Sequence, residues 1–282
     1  MRGIAEEIAA TVRRPARLLG LFDGGKRMAF FADQPLPEPP TIADQTIAEV
    51  IAQHHCDYLD FGCKDGASLR FGREAFGGKA GLGIDIRPDQ VAISVAKGYR
   101  AVVGDVTDLN VPDKCVDFVL LFHFLEHMPS CTVARECIAT ALRAARKFVF
   151  IRHPWFDSDA ELLRLGYKMY WSDWGVHPSH FNSLEFIKAI RRLNVEGRWC
   201  LMGHRQIHDT RHPALIPLFS SGRLADESEA ASRPAVGFSS PVYHNIACLI
   251  QTGSVEDYER ARAALDSEHV VFMEGEGSRV FS

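Results

Sequence analysis

Between residues 56 and 152 the sequence alternates short, continuously apolar segments with longer stretches of helical periodicity. The apolar segments have the composition of buried strands and are CDYLDFG (56–62), AGLGIDI (80–86), RAVVGD (100–105), VDFVLLF (116–122) and KFVFIR (147–152). Helical periodicity fills the stretches 66–76, 88–97 and 132–146. Strands that are apolar throughout and separated by helices are typical of a parallel sheet covered on both faces. The sequence therefore predicts an α/β fold with helices on both sides of a central sheet.

The N-terminal part has a different pattern. Residues 1–22 carry apolar residues near helical spacing, with arginines between them, which predicts an amphipathic helix. A proline-rich break, QPLPEPP, follows at 34–40, and Thr41 opens a second helical stretch that ends near His54. We therefore expect an N-terminal helical extension with a proline-rich link over 1–40 and one domain over 41–282.

After residue 152 the alternation stops. Residues 152–182 hold three of the four tryptophans and predict an inserted aromatic segment, either a lid over a site or a packed hydrophobic cluster. Further on, the pattern predicts a helix, two strands, a loop or partly disordered link, a last helix and a polar tail. The helix is at 183–193, the strands at 197–203 and 244–251, the link at 220–241 and the last helix at 254–266.

Composition limits the class of protein. The 282 residues are 46% hydrophobic and 24% charged, close to the average for globular proteins, which excludes a disordered or fibrous chain. The formal net charge of -4 excludes a basic field over the whole chain and argues against a nucleic-acid partner.

The sequence offers no segment for a membrane or an export route. Its longest uncharged apolar stretch, Phe118–Leu125, is far shorter than the roughly 20 residues of a membrane-spanning helix. Glu6 and Glu7 interrupt the N-terminal apolar residues, so no signal peptide is predicted. Seven cysteines without a CxxC pair indicate reduced thiols, so we expect a cytoplasmic protein.

A glycine turn follows the first predicted strand, in LDFGCKDGAS. A strand that enters such a turn and then a helix presents backbone N–H groups at the carboxyl edge of the sheet, where doubly wound folds bind ligands. The dinucleotide fingerprint would require glycines at 62, 64 and 67. Gly62 fits, but Lys64 and Ala67 do not, which disfavours a pyrophosphate site and a nicotinamide-dependent enzyme.

Acidic residues end the first three strands. Asp60 lies two residues before Gly62 and is placed to pair with a cationic ligand. Asp85 ends the second strand, 19 residues after Gly66, where a carboxylate can accept hydrogen bonds from both hydroxyls of a ribose. Asp105 follows the third strand. This pattern predicts a nucleoside-containing ligand.

In order and spacing, DFGCKDG, GIDI, GDV and VDFVLLFHFLEHM resemble the class I S-adenosylmethionine-dependent methyltransferases of the small-molecule type. The resemblance covers about residues 56–152 and extends more weakly to HPSHFNSLEF at 177–186. It implies a Rossmann-like, seven-stranded sheet completed by two antiparallel strands at 197–203 and 244–251. It also implies a cofactor-side half at 56–152 and a substrate-side half at 153–253. Lys64 departs from the family pattern, which has glycine at that position.

The resemblance implies that S-adenosyl-L-methionine is the cofactor. Asp60, Gly62 and Gly66 would bind its methionine end, Asp85 its ribose, and Asp105 with Val106 its adenine. The residues implied in cofactor binding are Asp60, Gly62, Cys63, Gly66, Asp85, Ile86, Asp105, Val106, Phe122 and His123.

Methyl transfer from a sulfonium needs alignment and a dry site, with a base where the acceptor is a hydroxyl or an ammonium. His153 and His180 are the candidate polar contacts or bases, against the alternative that each caps a helix or bonds a loop. His127, within LEHM, is interpreted as structural. No metal site is predicted, since the spaced histidines 204, 208 and 212 do not share one predicted helix.

Together these features predict a methyltransferase for a small molecule or for a sugar or lipid biosynthetic intermediate, acting on oxygen or nitrogen. The alternative is a catalytically inactive methyltransferase-fold protein with a binding or regulatory role, which Lys64 would favour. The sequence indicates no oligomeric state.

Overall fold

The computed structural model describes residues 38–41, 46–221, 223–265, 269–277 and 279–280. The helix predicted over 1–22 and the proline-rich link up to residue 37 lie outside the described residues. The division at residue 40 therefore stays a prediction.

A central sheet organises the described part of the chain. Its strands are β1 (Tyr58–Phe61), β2 (Gly81–Asp85), β3 (Arg100–Val103), β4 (Val116–Phe122), β5 (Ala145–Pro154), β7 (Arg198–Asp209), β9 (Gly237–Gln251) and β10 (His269–Glu276). Their spatial order is β10-β7-β9-β5-β4-β1-β2-β3. Strands β1 to β5 are mutually parallel, so their carboxyl ends meet at one edge. The predicted α/β fold with a Rossmann-like sheet is confirmed.

Within the described residues the sheet has eight strands, so the expected count of seven is wrong. The additional strand is β10, which pairs antiparallel with β7 in the region where a polar tail was predicted. Strands β7 and β9, which contain the two predicted late strands, are antiparallel to each other. Strand β9 is also antiparallel to its other neighbour, β5. Strand β7 therefore runs in the same direction as β1 to β5.

The described helices correspond to the predicted helical stretches, except for two short ones, in the inserted aromatic segment and in the link over 220–241. The helices are α1 (Ile47–His54), α2 (Ala67–Phe76), α3 (Pro88–Ala96), α4 (Cys131–Ala144), α5 (Asp159–Arg164), α6 (Ser183–Arg192), α7 (Glu227–Ala231) and α8 (Val255–Ala263). Helix α1 begins after Thr46, because the Thr46 hydroxyl caps the Glu49 N–H and the Glu49 carboxylate accepts the Thr46 N–H in return. The expected start at Thr41 is wrong for this reason; Thr41 instead forms a parallel bridge with Val103.

Each face of the sheet has its own core, because side chains alternate along a strand. Leu59 and Phe61 of β1 enter one core, and Tyr58 enters the other. On the second face the Tyr58 ring stacks on Phe118 with centroids 4.7 Å apart, and Phe118 stacks on Phe148 at 5.0 Å. This aromatic row spans β1, β4 and β5 and fixes the relative heights of the strands whose carboxyl ends form the site.

The inserted aromatic segment is packed. Trp155 and Trp171 are buried and belong to the larger core, and a two-stranded sheet of β6 (Tyr167–Met169) and β8 (Leu215–Pro217) runs beside them. Of the two expectations for this segment, the structure has the hydrophobic cluster. The link over 220–241 contains α7 and the start of β9, so the expected loop is wrong over those stretches. Within the described residues, no helix is both long and apolar enough to span a bilayer.

Candidate cofactor and substrate site

The three predicted carboxylates lie at or near the ends of neighbouring strands, at one edge of the sheet. Asp60 of β1 lies between Gly83 of β2 and Leu120 of β4 in the strand register. Asp85 ends β2, and Asp105 follows β3 by two residues. Because β3, β2, β1 and β4 are adjacent in that order, the sheet brings these carboxylates to one crevice edge.

Asp60 is a fully buried carboxyl group with one unused oxygen. Its Oδ2 accepts a hydrogen bond from the Ser68 hydroxyl at 2.5 Å, while Oδ1 is buried and has no hydrogen-bond partner among the described residues. Burial raises the pKa of Asp60 to about 7. The hydrogen bond from Ser68 lowers the pKa, and the nearby negative charge of Asp85 raises it. A buried acceptor of this kind is satisfied by a cationic or N–H-bearing group.

The turn after β1 needs glycine at two positions. Gly62 has a φ of +75° and Gly66 a φ of +86°, both in the left-handed region. A Cβ atom on Gly62 would lie 2.5 Å from Cδ2 of Phe124, and a Cβ on Gly66 would lie 2.8 Å from the Ser94 hydroxyl. The turn is therefore tightly enclosed, and both glycines predicted from the sequence have a structural reason to be there.

Lys64 lies in the same turn with a φ of +48°, an unusual angle for a residue with a side chain. Its side chain is exposed, and its backbone N–H donates to Oδ2 of Asp85 at 2.8 Å. The other Asp85 oxygen accepts the Arg87 N–H at 2.9 Å. The Asp85 carboxylate thus joins the glycine turn directly to the end of β2. Its oxygens retain lone pairs that can accept hydrogen bonds from hydroxyl donors.

The remaining cofactor candidates differ in exposure. Ile86 is 64% exposed, an apolar side chain open to a ligand surface, whereas Val106 is 5% exposed and packs in the core. Asp105 accepts the Thr107 N–H at 2.9 Å with Oδ1. Cys63 is buried beneath the turn, and burial strongly raises the pKa of its thiol, so its side chain acts in packing and its backbone forms the turn.

At the end of β4 a buried carboxylate links two histidines. Glu126 is 1% exposed, and its oxygens lie 3.2 Å from Nδ1 of His153 and 3.4 Å from Nδ1 of His123. Burial disfavours the charged form of Glu126, but the hydrogen bonds from both histidines outweigh it and hold the pKa below its usual range. His123 is exposed, and Phe122 is half-buried beside the Arg152 guanidinium, 4.7 Å from its ring centre.

The two candidate catalytic histidines have opposite surroundings. His153 is fully buried among Phe156, Phe181 and Phe186, and burial lowers the pKa of its imidazole. In this conformation a substrate cannot touch it. His180 has a side chain 41% exposed, stacks on Phe156 with ring centroids 4.1 Å apart, and has Nδ1 3.8 Å from Oδ2 of Asp159. Of the two, only His180 can meet a substrate directly.

Sequence reasoning missed Ser68 and Glu126. Ser68 stands in the first turn of α2, eight residues after Asp60, and from there its hydroxyl reaches the carboxylate near the end of β1. Glu126 is the central residue of the LEH motif, but no local sequence pattern predicts that its carboxylate is buried. Among the spaced histidines, His204 is buried and stacks on His269 at 4.6 Å, while Nδ1 of His212 accepts the Ala214 N–H.

Several solved structures resemble this chain. A methyltransferase from Archaeoglobus fulgidus is 18% identical over 73% of this chain and 92% of its own, with a TM-score of 0.49. One from Methanosarcina mazei is 14% identical over 72% and 97%, with a TM-score of 0.44. The magnesium protoporphyrin IX methyltransferase of Synechocystis, solved with bound S-adenosylhomocysteine, is 13% identical over 72% and 80%, with a TM-score of 0.41. No curated protein matches the sequence.

A family model described as a methyltransferase domain matches residues 59–150. The matched region runs from β1 to β5 and includes the glycine turn and the three strand-end carboxylates. The match therefore identifies a methyltransferase domain within residues 59–150.

Proposed function

We propose that this protein transfers a methyl group from S-adenosyl-L-methionine to an oxygen or nitrogen of a small molecule or of a sugar or lipid biosynthetic intermediate. The observation that carries the proposal is the unused, buried Oδ1 of Asp60 at the head of a glycine turn whose backbone also holds Asp85. Such an acceptor fits the ammonium group of the donor's methionine end.

The chain's residues fit the rest of the donor in the same order as the strands. Asp85 would accept the ribose hydroxyls beside the exposed Ile86. Asp105 would accept the adenine amino group, with Val106 below the ring. Gly62 and Gly66 keep the turn free of side chains, so that its backbone can approach the methionine end closely.

When bound, S-adenosylmethionine supplies an electrophilic methyl group on a sulfonium. The protein's part is to align the acceptor with that methyl group, to exclude water, and to remove a proton where the acceptor carries one. His180 is the best-placed base, because its ring is accessible and the Asp159 carboxylate faces Nδ1. We assign His153 to positioning, since it orients Glu126 from a fully buried site.

A small-molecule acceptor is supported by the charge balance. The formal net charge of -4 provides no general attraction for a polyanion. The exposed polar groups beyond the strand ends include His123 and His180, which suit a compact polar substrate. We further propose that 56–152 forms the donor side and 153–253 the acceptor side.

The test is transfer of a labelled methyl group to fractionated small-molecule extracts. We expect labelled product with wild type, none with Asp85→Ala, and a much slower rate with His180→Ala at unchanged donor affinity. Binding of the donor without transfer to any fraction would instead favour the inactive, regulatory protein. The exposed Lys64 in the glycine turn is the feature consistent with that outcome.

A further inference from the structure

A second group of polar side chains lies beyond the end of β4. Glu126 and His127 belong to the short 3₁₀ turn Leu125–His127, and His177 lies between β6 and α6. One potential ligand atom from each of the three lies within 4.8 Å of the other two. Two imidazoles and one carboxylate are a common ligand set for a divalent transition-metal ion.

Each side chain presents an available lone pair. Nδ1 of His127 lies 2.9 Å from the Val176 carbonyl oxygen, so Nδ1 carries the proton and Nε2 keeps its lone pair. His177 is 6% exposed, and its buried Nδ1 has no hydrogen-bond partner among the described residues. Glu126 retains acceptor capacity beyond its bonds to His123 and His153. An unpartnered buried imidazole nitrogen beside a buried carboxylate calls for a ligand.

The backbone holds these groups together. The Ser179 N–H donates to the Glu126 carbonyl oxygen at 3.3 Å, and the His177 N–H donates to the Trp174 carbonyl oxygen at 2.9 Å. The rings of His127 and His177 meet edge to face with centroids 4.9 Å apart. Ligand atoms around a tetrahedral ion are about 3.3–3.5 Å apart, so a small movement of the exposed His127 side chain would complete the set.

We propose that Glu126, His127 and His177 bind one divalent first-row transition-metal ion. His153 and His123 orient the carboxylate by hydrogen bonding to it, as outer partners of a metal ligand do. Glu126 and His127 belong to the proposed donor side and His177 to the proposed acceptor side, so the ion would join the two. The metal-binding claim does not depend on the methyl donor.

Titration of the untagged full chain with Co²⁺ tests the site, since the visible spectrum reports the ligand type. We expect one equivalent to bind with ligand-field bands and without a thiolate charge-transfer band. His127→Ala and His177→Gln should each lower the affinity by at least about 100-fold. The matched control is His208→Ala, an exposed histidine on β7 outside the group, which should bind as wild type.

His127 is exposed, so its variant should fold, and circular dichroism checks this. Unchanged affinity in folded His127→Ala would overturn the proposal. So would an absence of stoichiometric binding, or a thiolate band, which would assign the ion to cysteines. Methyl-donor affinity measured in the same samples separates this result from the proposed methyl transfer.

Discussion

Nδ1 of His153 lies 3.2 Å from Oε2 of Glu126, and both side chains are almost completely removed from solvent. His153 is the second-last residue of β5, and Glu126 follows β4, so the pair connects two parallel strands where the proposed acceptor side begins. The pair orients the end of β4, and through it the exposed His123, which shares the same carboxylate.

Replacing His153 should therefore affect stability more than replacing His180. His153→Ala leaves a cavity and removes a buried hydrogen bond to a charged group, and we expect a loss of about 3–5 kcal/mol in the free energy of unfolding. His180→Ala, at an exposed position, should change it by less than about 0.5 kcal/mol. Urea denaturation of both variants checks this. Equal losses would contradict the assignment of His153 to positioning.

The Asp60 carboxyl should make folding stability depend on pH. Its folded-state pKa of about 7 lies above the unfolded value, so the folded state holds the proton over a range in which the unfolded state has lost it. The contribution of Asp60 is therefore fully favourable below about pH 4 and is lost as pH rises towards 7. We expect Asp60→Asn to gain stability relative to wild type between pH 4.5 and 7.5, measured by urea denaturation at both values. A constant difference would contradict the raised pKa.

Gly62 should not tolerate a side chain. In Gly62→Ala the positive φ and the contact with Phe124 together should cost about 2–5 kcal/mol. Gly77→Ala is the matched control, because Gly77 has a similar φ of +72° but open space around it, and should cost about 1–2 kcal/mol. Thermal unfolding of the two variants distinguishes them. A smaller loss at Gly62 than at Gly77 would show that the turn is not enclosed by Phe124.

Lys64→Gly should restore the turn that the family pattern leads one to expect. Relief of the left-handed backbone should stabilise the protein by about 0.5–1 kcal/mol, net of the entropy that glycine loses on folding. Loss of the lysine charge should also raise affinity for the sulfonium donor about twofold relative to neutral S-adenosylhomocysteine.

The control for Lys64→Gly is Asn194→Gly, at an exposed position with a φ of +49° far along the chain from the glycine turn. It should leave both affinities unchanged. Calorimetric titration with the two ligands measures the ratio, and a ratio that is equal in all three proteins would remove Lys64 from the donor site.

The sheet from β1 to β5 could be predicted because its strands are largely buried and mostly apolar. Strand β10 could not be predicted, since its sequence HVVFMEGE mixes buried, half-buried and exposed residues without regular alternation, at a sheet edge. The start of α1 could have been predicted, because Thr46 and Glu49 have the spacing of a capping box. The prediction instead used Thr41, an earlier threonine that does not cap the helix.

The carboxylates of the candidate site could be predicted from the sequence better than the surroundings of its histidines. Asp60 lies near the end of β1, Asp85 ends β2 and Asp105 follows β3, so local pattern alone brings them to one edge. The burial of His153 depends on β9, whose Ile246 pairs with it from about ninety residues further along the chain. The approach of His177 to Glu126 and His127 likewise depends on tertiary contacts, such as the bond from Ser179 to the Glu126 carbonyl, that no local spacing encodes.

The central claim is that the glycine turn and the strand-end carboxylates bind S-adenosylmethionine. Isothermal titration of the full chain with S-adenosylmethionine and S-adenosylhomocysteine tests it most directly, with Asp85→Ala and the distant Asp226→Ala as paired variants. We predict micromolar binding of both ligands to wild type and Asp226→Ala, and its loss in Asp85→Ala. No binding of either ligand to folded wild type, or equal binding by Asp85→Ala, would contradict the account.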